Sequence, residues 1–245
     1  MAKFPSLWLL VVMLLVSPAR ADDLDWQLYA SLLDEYSEMR EIEGLNLRWV
    51  DYTGLGSDPR WRAVIAMLER TDPSTLSGAN AKKAFYINAY NILAIDLVLK
   101  HWPVESIRDI GSWIRPVWRR EAGKIAGEPV TLHQVEHEIL RPMGDPRIHM
   151  AIVCASLSCP DLAARPYRGS ALEQQLDHQT RLFLSNPKKG AAERGEALAI
   201  SKIFDWFAAD FESGGGVRAW LRRYGVMSEA DTLRYLPYDW RVNGS

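Results

Sequence analysis

From Asp25 to Met39 the apolar side chains of Trp26, Leu28, Tyr29, Leu32, Leu33 and Tyr36 return every three or four positions, which predicts an amphipathic helix. A looser stretch from Leu45 to Pro59, with Gly54 and Gly56, interrupts it before a second helix near Trp61 to Glu69. Ser77 to Lys100 is apolar almost all round, through Phe85, Ile87, Tyr90, Ile92, Leu93, Ile95, Leu97 and Val98. A helix without a wet face belongs at the centre of a domain. Pro116, Gly123, Gly127 and Pro129 punctuate Trp113 to Val130, which suits one or two irregular strands.

Thr131 and Gln134 stand at capping-box spacing and open a short helix that runs to Arg141, where Pro142 and Gly144 stop it. The unbroken apolar run from Arg147 to Cys154, β-branched at Ile148, Ile152 and Val153, predicts a strand buried on both faces. Pro160 and Pro166 make its continuation a loop. Ser170 and Glu173 suggest another capping box, opening a helix to about Ser185. A short strand at Ala197 to Ile200, a helix capped by Ser201, a flexible turn at Ser213 to Gly216 and a last helix from Val217 to Tyr224 complete the pattern. Helices outnumber strands, so the expected class is α+β or mixed α/β, a helix-rich single domain around a small central β-sheet. No period repeats and no linker composition divides the chain.

The start of the chain has a different character. Lys3 precedes an apolar run from Leu7 to Val16, followed by Ser17, Pro18 and the small-residue pattern Ala19-Arg20-Ala21. That order is the signature of a cleavable export signal spanning residues 1–21. The run is shorter than the ~20 residues an anchor needs, so the expectation is a periplasmic or secreted protein with no membrane anchor after cleavage. Residues 22–80 are expected to form an N-terminal helical segment packed on a domain at 81–245. Loss of Lys3 and Arg20 leaves 27 basic against 31 acidic residues, a net charge of −4. Such a balance argues against nucleic acid as a partner. The tryptophans, ten before cleavage, are expected mainly as core and loop anchors.

Candidate chemistry is concentrated in a few positions. Asn88 and Asn91 lie three apart on one face of the apolar helix, where a buried amide must find partners. They could tie loop backbone to the helix, or one could orient a catalytic imidazole. Glu136 and His137 are adjacent, so their side chains diverge by about 100° on a helix and Glu136 is poorly placed to orient His137. His133 to His137 also fits an H-x-x-E-H zinc pattern, which lacks a third ligand. On an extended strand His149 and Cys154 would fall on opposite faces ~17 Å apart, which excludes a hydrogen-bonded pair.

Cys154 ends the predicted strand where a loop begins, a place that both fixes and exposes a side chain. The amides of Ala155 to Ser158 could serve as oxyanion donors. The cysteines number two, and five positions separate Cys154 from Cys159. In an oxidising compartment that spacing equally suits a disulfide.

These residues fall into a recognisable set: Asn88-Ala-Tyr-Asn91, Glu136-His137, Arg147-Ile-His149 leading to Cys154-Ala-Ser-Leu-Ser-Cys159-Pro160, and Ser201-x-Ile-Phe-x-Trp206-x-x-x-Asp210-Phe211. Over roughly Ala81 to Tyr224 the chain resembles the family known as domain of unknown function 547. The resemblance implies an exported bacterial member and carries no established reaction with it. It also implies that Cys154 is the functional sulfur, since some members have Ser where this chain has Cys159, and it leaves His133 outside the pattern.

Two readings follow. One is a thiol hydrolase or acyltransferase in the broad papain or transglutaminase style, with Cys154 as nucleophile, His137 as base, Asn91 or Asn88 as orienter, and His149 and Glu136 in support. Its substrate would be a small molecule or peptide of unknown identity, with no cofactor and no metal. The other is a non-catalytic module closed by a Cys154–Cys159 disulfide.

Overall fold

Helix α4, Ala79–His101, organises the molecule. The structure is a computed structural model that describes residues 24–245, and the expected export signal lies outside the described residues. From Lys83 to Val98 every residue of α4 except Tyr86 is buried, as its predominantly apolar sequence requires. Lys100 sits in its last turn, where positive charge complements the carbonyl end, and Pro103 follows it.

The preceding helices pack into the same core. Helix α1, Gln27–Tyr36, buries Tyr29, Leu32 and Leu33, and α3, Arg60–Arg70, buries Trp61, Val64 and Leu68. Trp61 donates its indole N–H to Asp96 of α4 at 3.0 Å, which gives a buried carboxylate a partner. The expected continuation of the first helix to Met39 is not formed. Ser37–Ile42 is strand β1, paired antiparallel with β2, Leu45–Val50. The turn between them places Glu43 and Gly44 at φ 52° and 71°, the left-handed pair that suits a two-residue hairpin. Asp51 then caps the short helix α2, Tyr52–Ser57, by accepting from the Gly54 N–H.

Strands do not gather into one central sheet. Strand β3, Glu121–Ile125, pairs with β4, Glu128–Thr131, in a bulged hairpin. A three-stranded sheet joins β5, Ala191–Arg194, β6, Ala197–Ile200, and β7, Thr232–Tyr235, with β6 and β7 parallel. Helix α5 spans Leu172–Leu184, α6 Ile203–Trp206 and α7 Gly216–Arg223, the last entered through Gly215 and Gly216 at positive φ where a turn was expected. Among the described residues the architecture is therefore helix-rich and mixed α+β, with three small sheets and a helix at its centre.

The predicted strand at 147–154 is absent, and this explains the missing central sheet. Asp145 accepts from the Arg147 N–H and Pro146 starts a tight 3₁₀ turn through Met150. Ala151 and Ile152 then both donate back to the Ile148 carbonyl at 2.9 Å. Arg147 holds this turn to its surroundings through Asp145, Glu173 and Asp177, and Lys83 of α4 reaches the same Asp145 at 2.9 Å. Residues Ile148 to Val153 are all buried, Met150 against the C-terminal cluster of Phe183, Phe204 and Phe211, His149 against Phe207, and Ile148, Ala151, Ile152 and Val153 against the α4 core. An apolar run of this kind fits a buried strand or a buried coil equally well; tertiary packing selects the coil.

Without a strand neighbour, the segment's backbone needs other partners. Asn91 provides them: its amide donates to the Ala151 carbonyl and accepts from the Val153 N–H, both at 2.9 Å. Asn88 repeats the arrangement with Tyr167, donating to its carbonyl at 2.8 Å and accepting from its N–H at 2.9 Å. Replacing Asn91 with the similarly sized Leu leaves two buried backbone groups without partners, and a loss of about 3 kcal/mol is expected. Denaturant unfolding measures it; a change below about 0.5 kcal/mol would show that water or rearrangement takes over the amide's role.

Candidate functional site

The turn of Cys154 and the loop after it, the π-helix carrying Glu136 and His137, the coil carrying His149, and the segments around Trp206 and Tyr238 enclose a cleft of about 170 Å³. Its polar wall contains Glu136, His137, His149, Cys154 and Cys159; Tyr90, Trp118, Trp206, Phe207, Tyr238 and Trp240 supply the aromatic one. The separation expected between His149 and Cys154 disappears with the strand, since the coiled backbone turns both side chains to this cleft.

Cys154 sits immediately before Ala155, whose φ of 55° bends the chain sharply. Its sulfur lies 3.1 Å from Cys159 Sγ, 3.1 Å from Ser156 Oγ and 3.3 Å from the Tyr238 hydroxyl. Both cysteines are free thiols. The Cys159 thiol is the foremost influence that pulls Cys154 down to about 7, joined by the Ser156 and Tyr238 hydroxyls and the Ser156 N–H, against the opposing effect of burial. Burial and the neighbouring sulfur push Cys159 upward, so Cys154 ionises first and Cys159 serves as a donor to it. The loop amides expected to form an oxyanion hole are largely committed: Leu157 N–H donates to Arg241 and Ser158 N–H to Asp239.

A second polar chain runs beside the sulfur. Arg141 forms a two-pronged pair with Asp210, both contacts at 2.7 Å, and Asp210 accepts from His149 Nε2 at 2.7 Å. Hydrogen bonds from His149 and Arg141 hold the Asp210 carboxyl well below the usual carboxylate range. The ionised carboxylate fixes the His149 proton on Nε2 and leaves Nδ1 as the lone-pair nitrogen. That atom has no hydrogen-bond partner and lies 4.0 Å from Glu136 Oε1, while the ring stacks on Phe207 at 4.0 Å. Burial lowers the His149 pKa despite its carboxylate, so the imidazole is neutral.

His137 has a different setting. Arg141 is only a donor, so its 2.8 Å contact with His137 Nδ1 occupies the lone pair of that ring. Burial, then the neighbouring His133 and Arg141 charges, lower His137 to about 4. Glu136 is raised to about 7, first by burial and next by the charge of Cys154, while the Tyr90 hydroxyl donates to it at 3.3 Å. The segment Gln134–Leu140 is a π-helix rather than the expected α-helix, with Arg141 N–H reaching back five residues to Glu136. Its start is the reciprocal cap expected of Thr131 and Gln134.

Neither Asn88 nor Asn91 touches an imidazole; both amides are spent on backbone. The rings of His133 and His137 do share a face, 4.4 Å apart, but among the described residues no three His, Cys, Asp or Glu side chains form a group that could hold a metal. The side chains of Asp210, Arg141, Ser156 and Tyr238 have no role legible from local sequence. Asp210 at least stands within the Ser201-to-Phe211 pattern, whereas Tyr238 lies 84 positions from Cys154 with no local signal to connect them.

Alkylation of Cys154 should rise with pH around 7 rather than near the ordinary thiol value of about 8.5. Cys159→Ala removes the foremost source of the depression, so the inflection should move upward by at least about half a unit. Rates of modification by a small haloacetamide, with the site located by peptide mass, check this; an unchanged inflection would leave the sulfur pair without its assigned effect.

No curated protein and no solved structure matches the chain. Thus no structural relative supports the papain or transglutaminase likeness. The family described as "Protein of unknown function, DUF547" matches residues 73–184, which include α4, the π-helix, the coil with His149 and both cysteines, and end before Asp210 and Tyr238. Within those limits the chain carries a DUF547 family domain.

Proposed function

We propose that the cleft carries out thiol-dependent acyl transfer or hydrolysis on a small-molecule or peptide substrate, with Cys154 as nucleophile. The supporting observation is the juxtaposition in one cleft of an easily ionised thiol and a neutral imidazole whose N–H is held by a carboxylate. In this reading His149, oriented by Asp210, takes the place first considered for His137. The two groups share the cleft without a direct hydrogen bond, as unliganded catalytic sites often do before substrate tightens them.

As the Cys154 thiol gives its proton to His149 Nδ1, its sulfur attacks the acyl carbon, forming the C–S bond while the carbonyl π pair moves to oxygen. The Ser156 and Tyr238 hydroxyls, both beside the sulfur, are the donors available to that oxyanion. The pair returns, the leaving group departs with a proton from His149, and a thioester remains. His149 Nδ1 then removes a proton from water or from an acceptor nucleophile, which attacks the thioester and restores the thiol. Phe207 and the buried Glu136 keep the imidazole in a dry setting. Work outside the cytoplasm, in the periplasm or medium, belongs to the same proposal and rests on the character of residues 1–21.

A second reading draws on the sulfur contact of 3.1 Å. Cys154 and Cys159 could pass two protons and two electrons to a disulfide oxidant, which leaves as a dithiol, and close as a structural bridge. The same experiment separates the two. The protein is purified without reductant, weighed with and without reduction, and then treated with an activated aryl ester. The catalytic reading expects a reduced Cys154 that gains one acyl group and releases it to water. Cys154→Ala abolishes the adduct, and His149→Gln or Asp210→Asn slows turnover about 10²-fold. A free thiol that never acylates overturns it, and an obligate bridge leaves the structural reading standing.

A further inference from the structure

We propose that the loop from Gly111 to Val117 docks the protein on an anionic lipid surface, with Trp113 and Ile114 entering the headgroup region and nearby arginines contacting lipid phosphates. Trp113 is 97% exposed and Ile114 88%, adjacent at the tip of one loop. Single exposed apolar residues are ordinary, but a neighbouring pair left almost wholly in water is not.

The loop is built to hold that pair outward. Ser112 N–H donates to the Arg115 carbonyl and Arg115 N–H to the Ser112 hydroxyl, both at 3.0 Å, closing the tip. At the neck the limbs touch: a side chain on Gly111 would meet the Val117 nitrogen at 2.4 Å. Ile110 and Val117 are buried and anchor the two limbs in the core.

Charge selects the partner. Arg108, Arg115, Arg119 and Arg120 are exposed and, among the described residues, none forms an ion pair with a carboxylate. Against them this stretch has one acid, Asp109, in a chain whose overall charge is −2. A convex tip of Trp and Ile with basic residues around it matches the order of a bilayer surface, where indole favours the interface and guanidinium meets anionic headgroups. Trp118, directly after the loop, lines the cleft, so docking carries the cleft's rim toward the lipid. The proposal stands independently of the chemistry assigned to Cys154.

The test is sedimentation of the chain from Asp22 onward, which contains all of the described fold, with vesicles of phosphatidylcholine alone or mixed equally with phosphatidylglycerol. Binding is expected to the mixed vesicles and to be weaker by about tenfold or more on pure phosphatidylcholine. The double variant Trp113→Ser with Ile114→Ser, and separately Arg115→Ala with Arg119→Ala, should each lose about tenfold or more in affinity. Thermal melting should be unchanged, because these side chains support no packing. No binding, equal binding to both vesicles, or full retention by either double variant overturns the proposal. So does a tip-dependent change in sedimentation without vesicles, which would make the loop a contact between copies of the chain.

Discussion

A backbone carbonyl and N–H buried away from water must be paired, and at the heart of this protein that requirement falls on Asn91. The segment from Ile148 to Val153 crosses the interior with no strand beside it, so no ladder takes up its polar groups. One side-chain amide from α4 bonds both the Ala151 carbonyl and the Val153 N–H. Because this bond pair precedes Cys154 directly, the sulfur's position is determined by the central helix. Asn88, three residues earlier on the same face, holds Tyr167 in the same manner. The two asparagines connect the buried central helix to the two ends of the long loop that carries the cysteines.

Inside the cleft, low polarity amplifies small differences in placement. Arg141 is shared between Asp210 and His137, and that sharing gives the two histidines different parts: one has its lone pair covered, the other has its proton fixed and its lone pair bare. The consequences for stability run in opposite directions. His137 is protonated in the unfolded chain but not in the folded one between about pH 4 and 6.5, which makes stability rise with pH there. Glu136 keeps its proton in the folded chain between about 4.5 and 7, which makes stability fall with pH. Where the windows overlap the two contributions oppose, so the site can hold strongly displaced groups without a steep acid response from this pair.

The thiols and the aromatic wall show how much of the site is gathered from distant chain segments. Cys154 is held among Cys159, Ser156 and Tyr238, and Tyr238 in turn packs with Trp206 and Trp240, whose rings stack at 5.6 Å. The C-terminal tail is fastened below this wall by backbone bonds from Leu157 to Arg241 and from Asn243 to Ala155. Residues beyond the family-matched stretch therefore complete the cleft, and the fold joins them to the cysteine loop through main-chain contacts that impose little demand on side-chain identity.

Local order was legible in the residues wherever short-range physics decides it. The apolar continuity of α4, the reciprocal cap of Thr131 with Gln134 and the turn at Gly215 and Gly216 depend on neighbours a few positions apart, and each was readable from the chain alone. The need of Asn88 and Asn91 for partners was equally readable; which partners was not. Tertiary structure decided whether the apolar run before Cys154 became strand or coil, because burial rewards both and only the surrounding elements determine which backbone partners are within reach. It also decided that His149 belongs with Asp210 and that Tyr238 belongs with Cys154. Such pairs are separated by 61 and 84 positions, and no pattern of hydrophobicity or spacing encodes a contact that arises only when the two cores close against each other.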